Sequence, residues 1–238
     1  MKVSFYKRHT SSAMLLDENE EKLTKYSIKS FNKYILPHIT KNRKAKILDV
    51  GCGYGRYIKA LNDNGYENVY GIDISQEQID YAKNNMGLKN VEIYDALDFL
   101  KYKKDEYEVI LLLDILEHLE IEQSILLIKL CYESMKDKGV LIIQVPNAFS
   151  PLSIHRHSDL THKRAYTIHS IRQSLLLGGF TKINQFHLPI EVHGLKSLIR
   201  RSIWSIIINP LISLYMLVVG ASLRGGIYTP NLLTIAKK

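Results

Sequence analysis

Cysteine is scarce in this 238-residue sequence: only Cys52 and Cys131 occur. Two thiols cannot build a disulfide framework, so a reducing, cytoplasmic setting is expected. Thirteen glycines and six prolines are too few for a collagen-like or low-complexity architecture. The opening residues, MKVSFYKRHTSS, lack the apolar core of a secretory signal. No repeat with a period of ~20–50 residues is visible, which excludes a solenoid or propeller. Charged residues make up 24% and hydrophobic residues 46%, ordinary proportions for one large globular domain or a domain with a small appendage. A net charge of +8 suggests an anionic partner (nucleic acid, acidic lipid or a phosphorylated small molecule) unless it only reflects a basic composition.

Apolar residues at Leu23, Tyr26, Phe31, Tyr34, Ile35 and Ile39 predict an amphipathic helix ending near Pro37, within an N-terminal helical cap over residues 1–45. The basic connector KNRKAK follows. Short apolar runs then predict strands at Lys46–Val50, Asn68–Ile72, Val91–Tyr94, Tyr107–Leu113 and Val140–Val145, with helical stretches at 56–64, 76–84 and 121–135. Alternating strands and helices argue for an α/β fold with a parallel sheet covered on both faces. Ligands in such sheets bind beyond the carboxyl ends of the strands.

The first strand runs directly into Gly51-Cys52-Gly53-Tyr54-Gly55. Alternating glycines at a strand-to-helix turn allow a sharp bend and close approach of a ligand to the main chain. The third glycine comes one position too early for a dinucleotide fingerprint. The stretch ILDVGCGYG resembles motif I of the class I S-adenosylmethionine-dependent methyltransferases. That resemblance implies a Rossmann-like seven-stranded sheet over residues 46–238, six strands parallel and the last antiparallel. It also implies S-adenosyl-L-methionine as cofactor, its methionine end held by the turn Asp49, Gly51, Gly53 and Gly55. Asp73, 22 residues beyond Gly51, can accept hydrogen bonds from both ribose hydroxyls, with Ile74 beside it. Ser75 suits a helix cap. Asp95-Ala96-Leu97 is similar to the family's adenine-contacting segment, with Asp98 a competing acid, and Asp114 completes the expected cofactor set.

The run ILLLDILEHLE places Asp114, Glu117 and His118 just past the fourth strand. Methyl transfer to a hydroxyl requires a proton acceptor, and histidine titrates near neutral pH, so His118 is the first candidate base. The run resembles the Leu-Glu-His segment of methyltransferases acting on sugars and quinone precursors. In the quinone enzymes similar residues can hold a divalent cation, which here would give the set Asp114, Glu117 and His118. The Asn/Asp-Pro-Pro-aromatic string of nucleobase amino-methyltransferases is missing, so a nucleic-acid substrate is not expected.

Six of nine histidines fall between His155 and His193. His155, His157 and His162 lack the accompanying cysteine or carboxylate spacing of a zinc site. The block HSDLTHKRAYTIHSIRQSLLLGGF resembles a segment of glycan- and capsule-associated methyltransferases near their acceptor pocket. It maps to Asp159, Thr161, His162 and Arg164. Lys163 and Arg164 can grip a phosphate or carboxylate, and His162 is a second candidate base. These resemblances imply an O-methyltransferase acting on a small-molecule acceptor: a sugar, a nucleotide-activated sugar or a related phosphorylated intermediate of surface-glycan (capsule) biosynthesis. The rivals are a metal-dependent quinone-precursor O-methyltransferase, a non-catalytic cofactor-binding subunit and an RNA-binding methyltransferase.

From Ile203 to Leu223 stand 21 uncharged residues, with Arg200-Arg201 before and Arg224 after, long enough to cross a membrane. Asn209-Pro210 is expected to break this run, and Asn231–Ala236 reads as a further strand rejoining the sheet beside Phe180–His187. The expectation is therefore a helical, hydrophobic insertion at about 190–228 over the acceptor site. Its 198–223 segment would serve as a lid, a homodimer face or a peripheral membrane contact.

Overall fold

The computed structural model describes residues 20–189, 191–220 and 226–238. Residues 1–19 of the expected cap and Arg224 lie outside the described residues. The chain enters through helix α1 (Glu20–Ser30), a π turn (Phe31–Ile35) and a 3-10 turn (Leu36–His38) ending just past Pro37. There follow β1 (Lys46–Val50), α2 (Arg56–Asp63), β2 (Asn68–Asp73), α3 (Gln76–Asn84), β3 (Val91–Ile93), α4 (Ala96–Leu100) and β4 (Tyr107–Leu113). After a 3-10 turn at Leu116–His118 come α5 (Ile121–Ser134), β5 (Met135–Pro146), α6 (Ile154–His157), α7 (Ile168–Leu177), β6 (Lys182–His187) and finally β7 (Asn231–Lys237).

The seven strands form one sheet in the order β3-β2-β1-β4-β5-β7-β6. β7 runs antiparallel to both β5 and β6, and the other pairs are parallel, so six strands share one direction, as expected. Alternation along β1 shows why both faces are covered. Ile47 packs with Phe31, Ile58, Leu61 and Ile79 under the π turn, α2 and α3. Leu48 and Val50 pack on the opposite face with Leu127, Ile128, Ile171 and Leu175 of α5 and α7. The strand order reverses between β1 and β4, which opens a crevice at the carboxyl ends of these strands.

The insertion differs from expectation. Asn209-Pro210 does not break it: Leu195–Val218 is one continuous 24-residue helix. A π turn at Trp204–Ile208 precedes Pro210. Widening the helix there shifts its hydrogen bonding and makes room for a ring that carries no N–H. None of its described residues is buried, so it does not pack over the site as a closed lid.

Candidate active site

The turn after β1 is held by its own backbone. Gly51 and Cys52 N–H donate to the Ile72 carbonyl at 2.8 and 3.0 Å, and Gly55 N–H donates to Cys52 at 3.0 Å. Gly51, Gly53 and Gly55 have φ of 70°, 55° and 82°, where side-chain-bearing residues are strained. At Gly51 space matters as well, since a Cβ would lie 2.9 Å from Ile115 Cδ1. The turn is thereby pressed against the loop that follows β4.

Asp73, at the end of β2, accepts from Gly53 N–H at 2.9 Å and Ser75 N–H at 2.8 Å, one on each oxygen. A carboxylate oxygen can accept more than one hydrogen bond, so the same group suits a ribose diol. Ser75 caps α3, its Oγ accepting from Gln78 N–H at 3.4 Å. Asp95 caps α4, accepting from Leu97 and Asp98 N–H at 2.8 and 3.3 Å. Asp98 sits in the first turn of α4, exposed. Ala96 and Leu97 are half-buried, while Ile74 is exposed at the tip of β2.

Asp49 is 1% exposed and its Oδ2 has no hydrogen-bond partner among the described residues. Burial pushes its carboxyl up to about 7, opposed by the charge of Arg56 and assisted by that of Asp73. An orphaned buried acceptor beside a turn of left-handed glycines fits the cationic methionine end of S-adenosylmethionine. No sequence motif marks Arg56. Its guanidinium lies 4.8 Å from the Tyr57 ring centre and 5.8 Å from that of Tyr54, and its charge acts on both Asp49 and Asp114. Its position directly after Gly55, at the start of α2, was the available signal.

Beyond β4 the chain turns at Asp114, whose φ of 59° is unusual for a residue with a side chain. Gln144 of β5 donates Nε2–H to both of its oxygens, at 3.0 and 2.8 Å. Gln144 is the single polar residue within the apolar run LIIQVP, and that interruption is its only mark in the sequence. Burial raises the Asp114 carboxyl despite Gln144 and the nearby cations. Glu117 is fully buried and neither of its oxygens has a hydrogen-bond partner among the described residues. Burial, reinforced by the charges of Asp114 and Asp159, drives its carboxyl well above the usual carboxylate range.

Around Glu117 the structure assembles residues far apart in sequence. Thr161 Oγ1 donates to Asp159 Oδ1 at 2.6 Å and lies 2.8 Å from His118 Nδ1. Because the Thr161 proton goes to Asp159, its oxygen accepts from His118 Nδ1–H, and Nε2 is the basic nitrogen of His118. His162 Nδ1 lies 2.7 Å from the His155 carbonyl, which can only accept, so its Nε2 is basic as well and stands 3.9 Å from Glu117 Oε1. The two imidazole rings meet edge-on, with centres 4.7 Å apart.

Donor atoms of Glu117, His118 and His162 lie within 4.8 Å of one another. A buried carboxylate and two imidazoles, each oriented through its other nitrogen, suit a divalent cation. This grouping contains His162, whereas Asp114 of the expected set is engaged by Gln144. Lys163 and Arg164 turn to Glu120, with nitrogens at 2.8 and 3.7 Å from its carboxylate. Asp159, Thr161 and His162 are thus brought to His118, while the two cations of the same segment tie it to the start of α5.

Comparison with known proteins follows the same geometry. The family described as "Methyltransferase domain" matches residues 20–185. A ubiquinone biosynthesis O-methyltransferase of Rickettsia canadensis is 31% identical over 172 residues, covering 67% of this chain and 65% of that protein. A phosphoethanolamine N-methyltransferase of Plasmodium falciparum is 30% identical over 113 residues, covering 47% of this chain and 42% of that protein. The chain therefore spans less than two thirds of the length of these curated relatives. A crystal structure of an S-adenosylmethionine-dependent methyltransferase from Archaeoglobus fulgidus superposes with a TM-score of 0.68 at 25% identity, covering 90% of this chain and 94% of that one.

Proposed function

This chain belongs to the class I S-adenosylmethionine-dependent methyltransferases, and we propose that within that family it methylates a hydroxyl of a small-molecule acceptor. The observation that carries this reading is the His118–Thr161–Asp159 chain. It fixes one imidazole tautomer and aims a basic nitrogen away from Thr161. Oxygen acceptors must lose a proton as the methyl group arrives, and an oriented neutral histidine is the group suited to receive it. The cofactor supplies a methyl group on a sulfonium. Asp49 and the glycine turn would hold its methionine end, Asp73 its ribose, and Ala96 and Leu97 would line the adenine side behind the Asp95 cap. Displacement at that carbon is helped chiefly by positioning and by exclusion of water.

Two acceptor classes fit this site. A sugar or nucleotide-activated sugar of surface-glycan assembly is the class suggested by the Asp159–Arg164 segment. Its phosphate grip is weakened by the pairing of Lys163 and Arg164 with Glu120. A phenolic quinone precursor is favoured by a specific observation, the convergence of Glu117, His118 and His162, and agrees with the name of the Rickettsia relative. In this second reading His118 Nε2 would hold the cation in place of receiving the proton, and the cation would make the phenol more acidic. Both cysteines are unpaired, which accords with a cytoplasmic enzyme.

The test compares the wild type with His118→Ala and Thr161→Val on a catechol and on nucleotide-sugar acceptors, with and without a chelator. His118→Ala is expected to cut turnover by about 10²–10⁴-fold while leaving S-adenosylhomocysteine affinity unchanged. Thr161→Val, acting through His118, is expected to change kcat and the pH profile more than KM. Full turnover in His118→Ala refutes the role of base. Loss of catechol methylation on chelation selects the metal-assisted reading.

A further inference from the structure

The helix Leu195–Val218 is exposed along its length, with Ile206 at 74%, Leu211 at 59% and Val218 at 77% of full exposure. An apolar surface this continuous is not left to water without a purpose. Its attachment is informative. The chain leaves the sheet at His187 and rejoins it at Asn231, and His187 pairs in register with Leu232. Both ends of the insertion thus meet at one point, at the carboxyl end of β6. The site lies at the same end of the sheet, and His155 joins the two through a 2.7 Å contact between its Nδ1 and Asn231 Oδ1. The adjoining loop exposes three further apolar side chains: Leu152 (87%), Ile154 (59%) and Leu160 (94%).

Charge identifies the surface that covers these groups. Residues 195–220 contain no Asp or Glu, and their three cations, Lys196, Arg200 and Arg201, all precede Trp204. At helical spacing Lys196, Arg200 and Arg201 share one face of the first turns and Leu195, Leu198 and Ile199 the other. Trp204 and an apolar stretch follow, which completes the pattern of a helix seated at an anionic lipid surface. Crossing is excluded by the return path. The dozen residues 219–230, which include Arg224, would have to re-cross ~30 Å of hydrocarbon in nearly extended form with their backbone groups unpaired.

We propose that this helix lies in the plane of an anionic bilayer, its apolar side chains at the acyl boundary and Lys196, Arg200 and Arg201 among the headgroups. Leu152, Ile154 and Leu160 touch the same surface. The mouth of the site then faces the membrane, and the acceptor is an amphiphile presented by it, a polar ring bearing the hydroxyl on an apolar tail. The acceptor class rests on the hydroxyl-methylation reading above; the membrane contact does not.

Flotation of the full chain with vesicles tests the contact. Vesicles of equal parts phosphatidylcholine and phosphatidylglycerol are expected to carry the protein upward, and vesicles of phosphatidylcholine alone to carry far less. Arg200→Gln/Arg201→Gln is expected to lower the partition coefficient by about tenfold or more, and Ile206→Asp/Leu211→Asp to abolish flotation. Unchanged S-adenosylhomocysteine binding by these variants, read by calorimetry, shows that they are folded. The proposal is overturned if the wild type floats with neither vesicle or equally with both. It is also overturned if the wild type is a dimer that ignores vesicles and Ile206→Asp/Leu211→Asp turns it into a monomer. If the wild type fails to bind S-adenosylhomocysteine, the methyl-transfer reading falls and the flotation result stands on its own.

Discussion

Asp49, proposed above to hold the methionine end of the cofactor, would respond to pH in opposite directions through stability and through binding. Its ordinary value of 3.8 rises to about 7 in the folded chain because burial disfavours the charged form. Between those values the folded state holds a proton that the unfolded state has released. Its contribution to stability therefore declines as pH rises from about 4 to about 7. Binding runs the other way, since only the carboxylate attracts a cationic cofactor end. Affinity for S-adenosylhomocysteine is expected to rise about tenfold from pH ~6 to pH ~8 in calorimetric titrations, and to lose that slope in Asp49→Asn. A variant that keeps the full slope would assign the titration to another group.

At the scale of elements, the glycine turn and the loop after β4 act as one unit, because Gly51 and Ile115 leave no room for a methyl group between them. Gly51→Ala is expected to lower stability by about 1–2 kcal/mol through its left-handed backbone alone. It should also displace Ile115, which leads directly into the His118 turn. Gly65→Ala supplies the comparison: its φ is 83°, with nothing within 4 Å of an added Cβ. Thermal melts should therefore fall in both variants, whereas S-adenosylhomocysteine affinity should fall only in Gly51→Ala. Equal affinities would separate the turn from the loop. These elements were readable in the sequence because local rules govern them. The apolar runs gave β1, β2 and β4 nearly to the residue, and the Asp49–Gly55 string marked the turn. What escaped depends on contacts between distant segments. Nothing local reveals that Lys163 and Arg164 would turn to Glu120, that Thr161 would orient His118, or that Gln144 would hold Asp114. The helix through Pro210 escaped for a different reason, since a proline signals a break unless a π turn absorbs it.

For the molecule as a whole, the seven-stranded body and the exposed helix are distinct parts of the fold, and the sheet shows where they can be separated. β6 and β7 pair from Lys182↔Lys237 to His187↔Leu232, so the insertion bridges neighbouring strands whose ends already touch. The helix has no fully buried residue, and only Trp204, Ile212 and Met216 among its apolar side chains are half-buried. It therefore adds little to the apolar burial that is the main source of folding free energy. Contacts near its base, such as the Tyr26–His193 ring stack at 3.8 Å and the Lys33–Glu191 pair at 3.6 Å, precede Gly194. Replacing residues 194–226 by a short glycine-serine linker is therefore expected to leave cooperative unfolding and S-adenosylhomocysteine affinity within about twofold of the wild type. Loss of folding in that variant would show that the helix braces the sheet. A folded variant that keeps the cofactor would assign fold and cofactor recognition to the seven-stranded body alone, and would leave the helix available for the lipid contact proposed above.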